Sequence, residues 1–229
     1  ITASGLFARN LRRIIRNIKL GKDIDRSDNP SLRWKTMARV ALGQSKMVVR
    51  PVAGILHILV YVGFVIINIE VIEIIIDGIF GTHRILSFMG GFYNFLIGSF
   101  EILALLVLVS CVILYVRRNI VRIQRFWKPE MKGWPASDAN LILIFEVLLM
   151  SAFLLMDAAD LLLQERGVFH NAGSFPISNM ITPMISSLSN DSLLIVERFC
   201  WWFHIIGIFG FLNYLAVSKH LHILFAFPN

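Results

Sequence analysis

Two of the six histidines in this chain, His204 and His222, stand eighteen positions apart near its end. At ~100° per residue that spacing makes five whole turns, so on one continuous helix the two rings share a stripe, roughly 27 Å apart along the axis. That span is about the thickness of a bilayer's hydrocarbon core. Imidazoles placed one per leaflet suit axial ligation of haem iron inside a membrane. His57 is positioned to supply an opposing ligand. For His57 and His222 the alternatives are a quinone or proton role and plain structural hydrogen bonding, because a histidine within a membrane span must be partnered in some way. His83 and His170 fall in predicted outer loops, where a solvated side chain is the alternative to function. His220 sits ~200° around the helix from His222 and points away from the stripe.

Acids make a second constellation. Glu70, Glu73 and Asp77 recur at i, i+3 and i+7 and form one stripe at a helix end. Aligned carboxylates there suit proton transfer with a quinol, with Glu70 and Glu73 as the candidate groups. The competing reading is a polar helix end that faces solvent or pairs with Arg84. Glu101, Glu146, Asp157 and Asp160 carry no assigned role, although Glu146 could face a cavity. Gly54, three residues before His57, and Gly207, three after His204, would admit a flat macrocycle against the backbone. Close helix packing is the alternative use of such small residues. The two cysteines, Cys111 and Cys200, lie on different predicted spans, so no pairing is expected. They offer neither a zinc nor an iron–sulfur spacing.

The elements that must position these groups are membrane helices. Of 229 residues, 56% are hydrophobic and 16% charged, and the mean hydropathy is +0.70. A soluble domain of this size does not hide that much apolar surface. The predicted fold is all-α: a bundle of four complete transmembrane helices over about 52–76, 85–116, 139–163 and 194–224. Residues 1–50 form a basic cytoplasmic and interfacial segment, and 51–229 the transmembrane domain. In that segment Arg12, Arg13, Arg16 and Lys19 oppose Leu11, Ile14, Ile15 and Ile18. Asp28-Asn29-Pro30 breaks this helix, and a second short helix starts near Ser31. Residues 1–7 read as the end of a preceding transmembrane helix, and Asp138 is placed to cap the third span.

The net charge of +7 is unevenly spread: 12 Lys/Arg in residues 1–50 and six in 117–138, against one each, Arg84 and Arg166, in the intervening loops. The positive-inside rule accounts for this pattern, sets both chain ends on the cytoplasmic side of the membrane, and makes nucleic acid an unneeded partner. Some of these cations are also suited to membrane lipid head groups or a soluble partner.

Several of these residues carry a family resemblance. Gly43-Gln44-Ser45-Lys46, Arg50-Pro51-Val52-Ala53-Gly54-Ile55-Leu56-His57, Ser218-Lys219-His220-Leu221-His222-Ile223-Leu224 and Pro228-Asn229 resemble the membrane domain of bacterial heterodisulfide-reductase-like iron–sulfur oxidoreductases. That domain is related to the nitrate reductase gamma subunit, a five-helix, dihaem cytochrome b. In the gamma-subunit pattern an early pair of histidines ten apart faces a late pair eighteen apart. The late pair matches His204 and His222, and His57 matches the cytoplasmic-side member of the early pair. Position 67 is Ile, so the fourth ligand is missing from its expected place. The resemblance thus implies an inner haem b on His57 and His222, an outer haem on His204 whose partner would be His83 or His170, and five helices in the intact protein. It further implies electron transfer between a cytoplasmic iron–sulfur domain or subunit and menaquinone. The implied donor is electron-transfer flavoprotein, with any iron–sulfur clusters held outside these residues. Two rivals stand beside this reading: a haem-free membrane anchor for a soluble redox complex, and a small proton-coupled transporter using Glu101, Glu146 and His204.

Overall fold

A computed structural model describes residues 2–22, 24–25 and 27–227. Ile1 and the Pro228-Asn229 motif lie outside the described residues. Within them the fold is all-helical, and four helices are long and apolar enough to cross a membrane. These are α3 (Pro51–Phe80), α4 (Gly91–Asn119), α5 (Trp134–Glu165) and α7 (Asn190–Leu215). Before them come α1 (Thr2–Ile18) and α2 (Pro30–Met37); α6 (Thr182–Ile185) and α8 (His222–Phe225) are single turns. The chain forms two compact units, Leu56–Gly207 and Ile1–Ile55 with Ile208–Asn229.

In the second of these units, residues 2–7 belong to the same helix, α1, as the basic amphipathic stretch that follows them. Asn29 in the left-handed region turns the chain, and Pro30, whose fixed φ suits a first helical turn, starts α2. A π-helical turn, Ala38–Leu42, extends it. The Asn213 amide on α7 donates to the Ala3 carbonyl at 3.1 Å.

The larger unit is built on α4 and α5, which pack along each other, with α3 from Leu56 onward and α7 as far as Gly207. Its core runs through Ile97, Ala104, Phe153, Ala158, Ala159, Leu163 and Leu193, each at most 2% exposed. Small residues set the close approaches: a Cβ on Gly63 would collide with Val107 on α4, and one on Gly78 would meet the Trp201 ring at 2.7 Å.

The structure redraws three predicted boundaries. The second span begins at Gly91 and not near residue 85, because Arg84 (φ 51°) and Gly90 (φ 59°, ψ −126°) adopt backbone geometries that no right-handed helix contains. Between them Ile85–Met89 forms a separate 3-10 turn. The third span starts at Trp134, with Gly133 (φ 71°) before it, so Asp138 is inside the helix and is not its cap. Most consequentially, α7 stops at Leu215 and does not reach residue 224. Ser218 turns extended (φ −100°, ψ 156°), and its hydroxyl accepts from the His220 N–H at 3.0 Å, starting a 3-10 turn that leads to α8. His204 and His222 therefore do not share a five-turn stripe: the competing serine cap ends the helical register after His204's third turn.

Candidate functional site

The chemistry gathers where the C-terminal ends of α3 and α5 meet the N-terminal ends of α4 and α7. The α3–α4 connection drops Arg84 into this end of the larger unit, and Asp77 fixes the turn that does so. Its carboxylate accepts from the Thr82 hydroxyl at 2.5 Å and from the backbone N–H groups of Arg84 and Ile85 at 2.7 and 3.1 Å. With the left-handed backbone held in this way, the Arg84 side chain turns inward and is buried.

Its guanidinium is shared among acids. Nε donates to Asp160 Oδ2 at 2.6 Å and Nη2 to Asp157 Oδ1 at 2.7 Å, the short lengths of charge-assisted bonds. Nη1 lies 3.6 Å from Glu70 Oε1 and donates to the Tyr93 hydroxyl at 3.3 Å. Tyr93 in turn donates to Glu73 at 2.9 Å, and the Phe175 ring covers the guanidinium, its centroid 4.8 Å from Cζ. Burial opposes the charge on Arg84, but Asp160 and Asp157, then Tyr93 and Glu70, outweigh it and raise the group above the ordinary arginine range. Two carboxylate oxygens in this cluster, Glu70 Oε2 and Asp157 Oδ2, are buried with no hydrogen-bond partner among the described residues. Glu70 is 2% and Asp157 0% exposed. The expectation that Glu70 and Glu73 line one face with Asp77 holds, and of its two bland readings the structure shows pairing with Arg84, not exposure to solvent.

A cavity of about 40 Å³ opens beside this cluster, lined by Glu70, Glu73, His83, Asp160, Glu197 and Trp201 among others. That volume exceeds what one water needs, and the lining is polar enough to hold it. His83, with its side chain 23% exposed, bonds Asp160 Oδ1 through Nε2 at 3.2 Å. Its ring stacks on Phe169 (4.2 Å between centroids) and meets His170 edge-on at 5.3 Å. His170 lies 3.4 Å from the Ser87 hydroxyl. The structure thus ties His83 to the acid cluster and sets His170 beside it. Glu101, fully buried, accepts from the backbone N–H groups of Ile177 and Ser178 and pins the 166–189 connection to α4.

The proposed haem residues are distributed otherwise. His204 is on α7 in the larger unit, 2% exposed, its ring 5.9 Å from that of Phe153. One face of its chemistry is met by a hydrogen bond to the Leu149 backbone, while Nδ1 is buried without a partner. An unpartnered imidazole nitrogen in an apolar span fits a ligand donor. His57 is half-buried on α3. His222 belongs to the other unit, is exposed, and has Nδ1 2.9 Å from the Lys219 carbonyl. The glycines do not fit a macrocycle cradle. A Cβ on Gly54 would meet the Met47 carbonyl at 2.5 Å, and one on Gly207 would meet Leu149 and Phe145 at 3.0 and 3.2 Å. Protein fills both positions, so close packing is the use the structure shows for them.

Sequence reasoning left Asp157, Asp160 and Tyr93 without roles, and Arg84 appeared only as a pairing alternative. A signal was present: Asp157 and Asp160 are carboxylates at i, i+3 in an apolar run, a costly arrangement unless a partner reaches them. The partner sits 73 and 76 residues away, on a turn whose shape depends on Asp77.

No family model matches the chain, and no solved structure matches it. Among curated proteins it is 30% identical over 185 residues to the "probable iron-sulfur-binding oxidoreductase FadF" of Bacillus subtilis (strain 168), covering 80% of this chain and 24% of the relative. It is 27% identical over 216 residues to the "EtfAB:quinone oxidoreductase" of Syntrophomonas wolfei, covering 90% of this chain and 29% of the relative. The chain therefore spans about a quarter of the length of the curated relatives it matches, and both are named as oxidoreductases.

Proposed function

We propose that the chain is the membrane electron-transfer part of a quinone-linked oxidoreductase. It passes electrons between an iron–sulfur module and the menaquinone pool through haem b. Electron-transfer flavoprotein is the proposed soluble partner, in keeping with the name of the Syntrophomonas relative. The positive-inside rule places the Arg84 cluster at the outer face and the basic segments at the cytoplasmic face of a bacterial inner membrane.

His204 carries this reading: a buried imidazole on a membrane-length helix with one nitrogen unpartnered, in a chain matched along most of its length by two oxidoreductases. His57, His204 and His222 are the proposed iron ligands, His57 and His222 on the strength of sequence. Haem would supply one-electron transfer at a potential set by its axial ligands and surroundings. The chain's own residues bury the His204 ring between α5 and α7 and exclude water from it. Nearer the N-terminal end of α7 they hold ionisable groups where a quinol's protons can be received.

A haem-free anchor that docks a soluble redox complex is the second reading, favoured by the protein packing against Gly54 and Gly207. A reduced-minus-oxidised optical spectrum of the purified full-length protein, with pyridine haemochrome stoichiometry per chain, separates the two. One or two low-spin b haems support electron transfer through this domain; none supports the anchor.

A further inference from the structure

We propose that the Arg84 cluster is a proton-exchange site for the quinone reaction, taking protons on Glu70 and Asp157 and passing them to bulk water through Asp160 and His83. This rests on the quinone-linked reading above and adds to it the route that the protons follow.

The argument begins with charge. Arg84 is the guanidinium at the centre, and Asp157, Asp160 and Glu70 all face it within 3.6 Å. Glu73 on α3 joins through Tyr93 of α4, and α4 also contributes Glu101, which is occupied by backbone N–H donors. From α7 comes Glu197, whose Oε2 lies 3.1 Å from the half-exposed Arg198 but is buried without a hydrogen-bond partner, adding a further acid to the surplus. Acids therefore outnumber cations in a buried space, and uncompensated buried carboxylates neutralise by binding protons. A metal ion is a poorer fit to the surplus, since among the described residues no three His, Cys, Asp or Glu side chains converge to hold one.

Geometry then says where the protons reside and how they leave. Glu70 Oε2 and Asp157 Oδ2 are buried without partners, so each has an open position for a proton. Arginine does not give up its proton, so the route cannot run through Arg84. It runs beside it: Glu70, Asp160 and His83 all line the cavity, which has room for water to bridge them. Asp160 is 3.2 Å from the His83 ring, and His83 is the partly exposed member of the pair. His83 Nε2 faces Asp160 while Nδ1 is buried without a partner, so a turn of this partly exposed ring carries the last step to solvent.

The step balances. Oxidation of a bound quinol yields the quinone, two electrons and two protons; the electrons go to the iron–sulfur partner, and each proton leaves a quinol hydroxyl for a carboxylate oxygen. Reduction of the quinone runs the same path backwards.

The test uses the full-length protein in lipid, by infrared spectroscopy and by turnover with menadiol as the quinol probe. Wild-type protein at neutral pH is expected to show the carbonyl stretch of protonated carboxyl groups, exchanging with D2O. Glu70→Gln and Asp157→Asn each reduce that band, and His83→Ala slows its exchange by about 10²-fold, the lower end of what a positioned proton-transfer group contributes. Absence of the band from wild type, which needs no variant to fold, overturns the proposal. So does a band that neither carboxyl variant changes, or menadiol turnover unaltered in Glu70→Gln and His83→Ala; that last result leaves quinone-linked electron transfer standing. The expected bands without any menadiol oxidation support the proton site and overturn the quinone reading instead.

Discussion

Replacing Arg84 with Met removes the charge while keeping an unbranched apolar stem in the same space. The substitution deletes two charge-assisted hydrogen bonds, of 2.6 Å to Asp160 and 2.7 Å to Asp157, and strands acids that are 4% and 0% exposed. Removing one member of a buried ion pair costs about 3–5 kcal/mol, because the remaining charge is left uncompensated. Arg84→Met should lose that amount in equilibrium unfolding in mixed micelles, followed by the fluorescence of Trp201, which lines the adjacent cavity. The double variant Arg84→Met/Asp160→Asn should recover about 1–3 kcal/mol of it, the range of coupling between contacting residues. The sign of the pH dependence follows from Arg84. Its folded-state pKa is raised, chiefly by Asp160 and Asp157 against the opposing effect of burial. Its contribution is therefore complete below the ordinary arginine range and is lost only as pH rises beyond it. Arg84's own contribution is therefore constant from neutral to moderately alkaline pH, while the acids stranded in Arg84→Met make the variant lose further stability as pH rises. A loss under about 1 kcal/mol, or no coupling to Asp160, would refute the reasoning that this network holds the α3–α4 turn to α5.

Three further outcomes are expected. Gly78→Ala places a Cβ 2.7 Å from the Trp201 ring and should cost about 1–3 kcal/mol with a shifted tryptophan emission, partly restored by Trp201→Leu; an unshifted emission would mean that α3 and α7 do not touch there. Glu101→Leu leaves the Ile177 and Ser178 N–H groups without their acceptor, so limited proteolysis should cut the 166–189 connection faster, at a cost of about 1–3 kcal/mol. His204→Ala should remove one b-type haem signal from the reduced-minus-oxidised spectrum; a spectrum equal to that of wild type would rule out His204 as a ligand.

The membrane class, the all-α fold and the four spans are legible because an apolar run of that length has few other uses. Their ends are less so. Between Ile85 and Met89 the sequence is as apolar as a helix, and only Arg84 and Gly90, whose backbone conformations the residue types do not announce, separate it from α4. At the other end, hydropathy runs on past Leu215 while Ser218 diverts the backbone, so a spacing argument across that serine fails although the histidines it concerns are real. The acid stripe on α3 is visible from its periodicity, yet its meaning depends on Arg84 reaching Asp157 and Asp160 on α5. Contacts at such separation leave no trace in a local pattern.

A purely structural staple would explain part of the Arg84 cluster and leave the rest without a cause. Asp160 and Asp157 already satisfy the two donors that make the short bonds, and with Asp77 shaping the turn the connection is secured. Glu70 adds only a 3.6 Å contact and brings an oxygen with no partner. In a membrane-length helix an aliphatic residue would pack there at no desolvation cost, whereas a buried ion costs several kcal/mol against a total stability of about 5–15. Glu73, one turn along on the same face, doubles the expense, offset in part by the Tyr93 hydroxyl and the Leu86 N–H. Acids in excess of what the arginine can bind are what a site needs if it must hold a proton and let it go. An acid with both oxygens engaged, as Asp160 is, can lie on a proton's path but does not store one. The surplus oxygens, not the salt bridges, are therefore where function should be sought in this cluster, and Glu70→Leu is the variant that separates the two. It should preserve or raise stability while abolishing proton exchange, whereas a loss of several kcal/mol would make Glu70 part of the staple.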